Sequence, residues 1–176
     1  MKKPILIHPD PRLKKVAAPV PDLSDELRQL ADDMLETMYD APGIGLAAPQ
    51  VGVGSRLIVL DCVKEDGAPP RPLAMFNPEV VASSDETSVY EEGCLSIPET
   101  FADVTRPSEV TVRWMDRDGN PAEETFDGLW AVCVQHEIDH LNGKLFIDYL
   151  SPLKRQLITR KMVKMKREKA REQERA

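Results

Sequence analysis

Two of the chain's three histidines, His136 and His140, stand four residues apart in the stretch Val-Cys-Val-Gln-His-Glu-Ile-Asp-His, residues 132–140, with Glu137 between them. Helical residues four apart differ by about 400° of rotation, so on a helix both imidazoles project from one face within reach of a common ion. A carboxylate one residue after the first histidine is placed to move protons for whatever that ion activates. Leu129, Val132 and Cys133 lie seven, four and three residues before His136, on the same face, so the site should open into an apolar pocket. The competing reading is a core helix whose histidines are satisfied by hydrogen bonds. It suits one lone histidine better than the full HExxH pattern.

A catalytic zinc-type site usually takes three protein ligands and keeps one position open. In one protease class a third histidine completes HExxHxxGxxH, but here Gly143 is in place and the last position is Phe146. A downstream acid serves another protease class; the candidates are Asp148 and Glu168, and neither is persuasive. Upstream, Glu91-Glu92-Gly93-Cys94-Leu95-Ser96 sets a cysteine beside a glycine at a strand end, where backbone can approach a ligand closely. Cys94 is the best third ligand, the alternative being an inert buried thiol.

Gly43-Ile44-Gly45-Leu46-Ala47-Ala48 fits the dinucleotide pattern GxGxxG/A, and Asp61 lies near the position of its ribose-binding acid. The context is wrong, because that fingerprint needs a strand before the glycines and a helix after them. No nucleotide cofactor is expected. The stretch reads either as a tight turn needing glycine at positive φ or as a loop whose peptide groups and Gln50 amide line a substrate cleft.

The elements that must position these residues are legible in part. Leu27, Leu30, Ala31, Met34, Leu35 and Met38 recur at three- and four-residue spacing and predict an amphipathic helix over 23–39, ended by Ala41-Pro42-Gly43. Residues 56–62 read as a buried strand. From Pro72 to Phe126 the chain shows short runs at 73–76, 80–82, 88–90, 101–104 and 109–114, then a hairpin turn at Asp118-Gly119-Asn120-Pro121. A helix over about 128–142 carries the histidines, and a last one begins at Ser151-Pro152, a cap followed by proline at the first helical position. The class is α+β: antiparallel sheets packed around a central HExxH helix, with an N-terminal and a C-terminal helix. With no repeat or linker in sight, residues 1–176 are expected to form one domain.

Three cysteines without a framework spacing argue for reduced thiols. No apolar run approaches the roughly 20 residues of a membrane span, and the opening apolar stretch is too short for a signal peptide. A cytoplasmic protein with no membrane partner is expected. The net charge of -7 hides an asymmetry: residues 151–176 hold ten Lys/Arg against three Asp/Glu, while residues 1–150 hold 13 against 27. The basic stretch is either a solvated helix face or a tail that docks on an anionic surface such as RNA. Its Leu153, Leu157, Ile158, Met162 and Met165 imply an apolar seam on the body, and beyond Lys166 the helix is expected to fray.

Three segments taken together, Gly43-Ile-Gly-Leu-Ala-Ala-Pro-Gln-Val-Gly52, Glu92-Gly-Cys-Leu-Ser96 and Gln135-His-Glu-Ile-Asp-His140, resemble the three motifs of peptide deformylases in order and separation. The resemblance runs from His8-Pro9-Asp10 to Leu150-Ser151-Pro152-Leu153. It implies a hydrolase that removes the formyl group from the N-terminal methionine of new polypeptides, with Cys94, His136 and His140 as metal ligands and Glu137 as acid/base. It also implies that Gln50 and the Leu95 N–H bind the oxyanion, and that the metal is one divalent ion, Fe2+ in the cell, with Zn2+, Ni2+ or Co2+ as isolated. Ile44, Leu129, Val132 and Cys133 would form the methionine pocket, and strand edges near Gly45 and Gly93 would pair with the peptide. Arg106 would meet the peptide's distal end or form a surface salt bridge. Phe101 stands where many relatives carry arginine, which departs from a charged cleft rim. The resemblance further implies that the basic C-terminal helix, 151–176, docks on the ribosome.

Two other functions use the same residues. An endopeptidase built on HExxH would not need Cys94, and a noncatalytic ribosome-associated factor would not need Glu137.

Overall fold

Ser24 accepts a hydrogen bond from the Leu27 N–H and so caps α1, Asp25–Asp40, with Asp25 and Glu26 in its first turn. The structure, a computed structural model, describes residues 1–176. Seven strands follow α1: β1 Gly45–Ala47, β2 Leu57–Leu60, β3 Leu73–Ser83, β4 Thr87–Cys94, β5 Ile97–Pro107, β6 Glu109–Met115 and β7 Pro121–Asp127. Helices α2, Gly128–Leu141, and α3, Pro152–Arg175, complete the chain.

The sheets are antiparallel. Strands run in the order β1-β2-β3-β6-β7 in a five-stranded sheet, and β4 and β5 form a separate two-stranded hairpin inserted between β3 and β6. β1 lies at the margin of the large sheet and β4 has only one partner, so each has a free edge.

All four residues of β2 are buried because alternate side chains serve opposite faces. Leu57 and Val59 pack with Met34 and Met38 of α1, whereas Ile58 and Leu60 pack with Ala131, Val134 and Ile138 of α2. A third cluster joins Ile97 and Val104 of β5 to Met162 of α3 and to Phe146 and Ile147 in the 3-10 turn before it. Helix α2 is thus a core helix, and Gly143 ends it at φ 75°. A side chain at that position would collide with the Lys14 carbonyl, so glycine is required twice over.

The expected α+β architecture is the one observed, with several boundaries moved. The runs at 73–76 and 80–82 are one strand, β3, interrupted by irregular register around Phe76–Glu79. At that irregularity Asn77 takes φ 52° and its amide bonds both the N–H and the carbonyl of Val20, at 2.7 and 2.8 Å. The runs at 88–90 and 101–104 extend to Cys94 and back to Ile97, which brings the candidate ligand to the tip of a hairpin. The turn at residues 118–121 joins β6 to β7 as expected.

Helix α3 corrects two expectations. It continues to Arg175 instead of fraying at Lys166, since residues 164–175 contain only good helix formers. Its apolar seam is narrower than expected: Met162 is buried with Ile158 and Met165 beside it, whereas Leu153 and Leu157 are 67% and 54% exposed. At about 100° per residue, Leu157 and Leu153 point roughly 140° and 180° away from Met162. No helix is long and apolar enough to cross a membrane.

Candidate metal centre and substrate cleft

Cys94 closes β4, His136 and His140 lie a turn apart on α2, and one ligand atom from each falls within 4.8 Å of the other two. The Cys94 Sγ lies 3.4 Å from His140 Nε2. A register irregularity between Gly93 and Cys94 turns the cysteine out of the regular ladder and toward α2. Asp148 instead accepts from the Leu145 N–H at 3.0 Å, and neither it nor Glu168 belongs to the cluster.

The donor set fits a metal. His136 Nδ1 lies 2.9 Å from Glu92 Oε1, and a carboxylate can only accept, so Nδ1 carries the proton and Nε2 keeps its lone pair for an ion. Glu92 is buried, and its hydrogen bonds from His136 and Arg106 outweigh the burial that would raise its pKa, holding it below the usual carboxylate range. Burial holds His140 well below the ordinary imidazole range, which keeps it neutral and able to donate. One thiolate and two imidazoles make a soft, three-ligand set that suits iron or zinc.

Glu137 is 3% exposed, with Oε1 3.6 Å from His136 Nε2 and Oε2 without a protein partner. Burial pushes its carboxyl up to about 7. A carboxyl with that acidity can both take and return a proton near neutral pH.

Gln50 is held by a 3-10 turn, Ala48–Val51. Its Oε1 accepts from the Ala47 N–H at 2.9 Å, so its amide nitrogen must face the other way. There Nε2 donates to Ser96 Oγ at 3.0 Å and reaches Cys94 Sγ at 3.5 Å. The N–H of Leu95, in the tight turn after Cys94, is not used by any backbone carbonyl. Two donors, one side chain and one main chain, thus stand beside Cys94.

A cavity of about 750 Å³ opens over the centre. Ile44, Gly45, Leu129, Val132 and Cys133 line one part of it, and Gln50, Gly93, Cys94, Leu95, His136 and Glu137 line another. The candidate ligands, Glu137, the two oxyanion donors and the candidate pocket residues therefore meet here, with His140 buried behind His136. The cavity also takes in Ile5, Ile7 and Tyr90, which no sequence signal singled out.

Gly43 and Gly45 are explained by proximity and not by a turn. Neither Gly43 nor Gly45 has positive φ; a Cβ on Gly45 would lie 2.7 Å from Cys133 Sγ and 3.0 Å from Glu137 Cγ, and one on Gly43 would lie 2.8 Å from Leu95 Cδ1. Phe101, 66% exposed, faces Gly93 across the hairpin and covers the space its missing side chain leaves, giving an apolar rim.

Arg106 departs from both expectations, since it does not line the substrate cavity and its ion pairs are buried. It is 5% exposed and pairs with Glu92 and Asp139 at 2.7 and 2.9 Å. Along β5 it shares the inward face with Val104, two residues earlier, and the two carboxylates offset the cost of burying its charge.

Comparison with known proteins agrees with this geometry. A family model described as polypeptide deformylase matches residues 2–156. The peptide deformylase of Rhizobium meliloti (strain 1021) is 58% identical over 162 residues, 92% of this chain and 92% of the relative. Among solved structures, a peptide deformylase from Legionella pneumophila superposes with a TM-score of 0.89 at 50% identity, covering 97% of this chain and 99% of that one. The Ehrlichia chaffeensis enzyme in complex with actinonin gives 0.90 at 40% identity, covering 94% and 98%. With the family pattern matched over most of its length and the HExxH helix joined by a cysteine from the facing hairpin, this chain belongs to the polypeptide deformylase family.

Proposed function

We propose that Cys94, His136 and His140 hold one divalent metal, and that Glu137, Gln50 and the Leu95 N–H act on the substrate as this enzyme removes the formyl group from N-terminal formyl-methionine of new polypeptides. The observation that carries the assignment is the convergence of Cys94 with the HExxH pair, since neither a third histidine nor a downstream acid joins them.

The peptide's course follows from the free edges of β1 and β4, on either side of the cavity. An extended chain can bond both through main-chain groups near Gly45 and Gly93, which accepts any sequence after the first residue. Methionine's flexible apolar side chain fits the part of the cavity lined by Ile44, Leu129, Val132 and Cys133.

The metal, when bound, polarises the formyl oxygen and lowers the pKa of water toward 7. Glu137 takes a proton from the attacking water. Gln50 Nε2 and the Leu95 N–H donate to the oxygen that becomes negative as the formyl carbon turns tetrahedral. Glu137 then hands its proton to the departing amine nitrogen as the C–N bond breaks, leaving formate and a free amino terminus. Donors fixed before reaction cost no reorganisation during it; each is worth roughly 3 kcal/mol.

We assign Fe2+ as the cellular metal on the resemblance to peptide deformylases, with a soft thiolate set that fits iron as well as zinc; because Zn2+ binds such sites more tightly, the metal found after purification follows availability. Residues 1–176 are assigned to one catalytic domain, since β5 of the hairpin shares a packed cluster with α3 and pairs with α2 through Arg106 and Asp139, while α2 packs on the large sheet. The basic face of α3, with Leu153 and Leu157 exposed at its start, is assigned to ribosome docking, and a substrate emerging from ribosomes places the enzyme in the cytoplasm.

The test is formate release from a formyl-Met dipeptide after anaerobic reconstitution with Fe2+, with Glu137→Ala and Cys94→Ala alongside. Turnover lost in both variants, with metal lost only from Cys94→Ala, supports the roles. Turnover surviving in either variant overturns that residue's role.

A further inference from the structure

We propose that Arg106, Asp139 and Tyr149 form a positioning network that sets how tightly the centre retains its metal, acting through Glu92 on His136. This rests on the ligand assignment above.

The contacts are continuous. Arg106 Nε donates to Glu92 Oε2 at 2.7 Å and Nη2 to Oε1 at 2.9 Å, so both carboxylate oxygens are fixed. The same Oε1 accepts from His136 Nδ1. On its other side Arg106 Nη1 donates to Asp139 Oδ2 at 2.9 Å, and the Tyr149 hydroxyl donates to that oxygen at 2.7 Å. The Tyr149 ring lies against the guanidinium, 4.9 Å from its centroid.

The placement gives the network its role. Glu92 is two residues before Cys94 on β4, and Asp139 sits between His136 and His140 on α2. Helix α2 packs chiefly on β1, β2 and β7 of the large sheet, and Arg106 joins it to the hairpin bearing the thiolate alongside the His136–Glu92 and Gln135–Pro107 hydrogen bonds; it alone bridges Glu92 to Asp139. A carboxylate whose orientation is locked holds the imidazole plane and its tautomer; a freely turning one does not. Tyr149 is the outer end: it is about half-exposed, lies in a separate cleft of about 170 Å³ with Arg106 and Asp139, and does not line the substrate cavity. A change made there reaches the metal only through the network.

The experiment measures Co2+ retention by competition with a chelator in wild type, Arg106→Gln, Arg106→Lys, Tyr149→Phe and Glu92→Gln, each checked for folding by circular dichroism. Arg106→Gln is expected to weaken metal binding by about 10- to 100-fold, and Arg106→Lys, which cannot hold both Glu92 oxygens, to recover only part of it. Tyr149→Phe should weaken binding several-fold while keeping the thiolate-to-cobalt absorption band. That effect should vanish in a Glu92→Gln background. Unchanged retention in folded Arg106→Gln, or a Tyr149→Phe effect equal in both backgrounds, overturns the proposal. If Arg106→Gln does not fold, the Tyr149 and Glu92 cycle decides alone. Cys94→Ala separates the two readings: retention of the band and the affinity in that variant would overturn the ligand assignment itself.

Discussion

Replacing Gly45 by alanine tests whether the first segment's glycine exists for the sake of Glu137. The backbone at Gly45 is ordinary β1 strand paired with Leu60, so alanine meets no conformational barrier and by propensity alone would gain about 0.5–1 kcal/mol. Its Cβ, however, would lie 2.7 Å from Cys133 Sγ and 3.0 and 3.1 Å from Glu137 Cγ and Cδ. Relaxed carbon contacts need about 3.5–4.0 Å, so α2 or the two side chains must yield by up to about 1 Å. Overpacking of that size costs about 1–3 kcal/mol of stability. A reacting group moved by about 1 Å costs about 100-fold in rate. Formate release and urea unfolding, run on Gly45→Ala and on Gly45→Ala/Cys133→Ala, separate the two collisions. The double variant removes the sulfur contact and should regain stability, but kcat should stay low because the Glu137 contacts remain. A single variant with unchanged midpoint and kcat within twofold of wild type would refute the reasoning. An unchanged kcat with a raised KM would place the methyl in the peptide's path instead of against Glu137.

Gln50→Ala should lower kcat by about 100-fold and also cost about 1–3 kcal/mol, because the Ala47 N–H loses its buried acceptor; Gln50→Glu should keep that acceptor and the stability while losing the rate, and equal activity in both would remove Gln50 from the oxyanion site. In metal-free protein, Glu137 has a folded pKa of about 7 against an ordinary 4.5, so the folded state holds a proton that the unfolded chain has released. Its stabilising contribution is complete below pH 4.5 and is lost as pH rises through 7, about 3 kcal/mol in all. Denaturation at pH 5 and 8 should show that loss in wild type and not in Glu137→Gln, and parallel curves would show the carboxyl is not held protonated. Peroxide should oxidise Cys94 and release the metal with loss of turnover; retention of metal by protein shown by mass spectrometry to be oxidised at Cys94 would contradict its role as ligand. Ribosome association through α3 should weaken steeply with salt, and a salt-independent affinity measured by sedimentation would remove the electrostatic docking surface.

Residues whose relations are local are legible in the amino-acid sequence itself. The four-residue spacing of His136 and His140, the apolar positions preceding them, the Ser151-Pro152 helix start and the Asp118–Pro121 turn each depend on geometry within one element, which periodicity and turn chemistry encode directly. Cys94 could be nominated as third ligand by elimination and by its place in a family pattern. Spacing alone could not bring it to α2, because that depends on the bulge after Gly93 and on how the hairpin packs.

What only the tertiary structure decided involves contacts between elements distant in the chain. Gly45 reads in the sequence as a turn glycine or as part of a loop lining a cleft, yet in the fold it lies in β1 against Cys133 and Glu137. Arg106 reads as a surface or cleft charge because an isolated arginine in a strand carries no sign of the two carboxylates, 14 residues before it and 33 after it, that neutralise it. Leu153 and Leu157 fit an apolar seam by composition, yet they lie on the far side of α3 from Met162, and only the packed fold shows that the body covers Ile158, Met162 and Met165. Sequence alone determined the local chemistry of this protein: which residues could hold a metal, move a proton and form a helix face. The tertiary structure decided which of those groups meet and which buried charges support them, because burial and electrostatic pairing depend on distances in space that residue spacing along the chain does not encode.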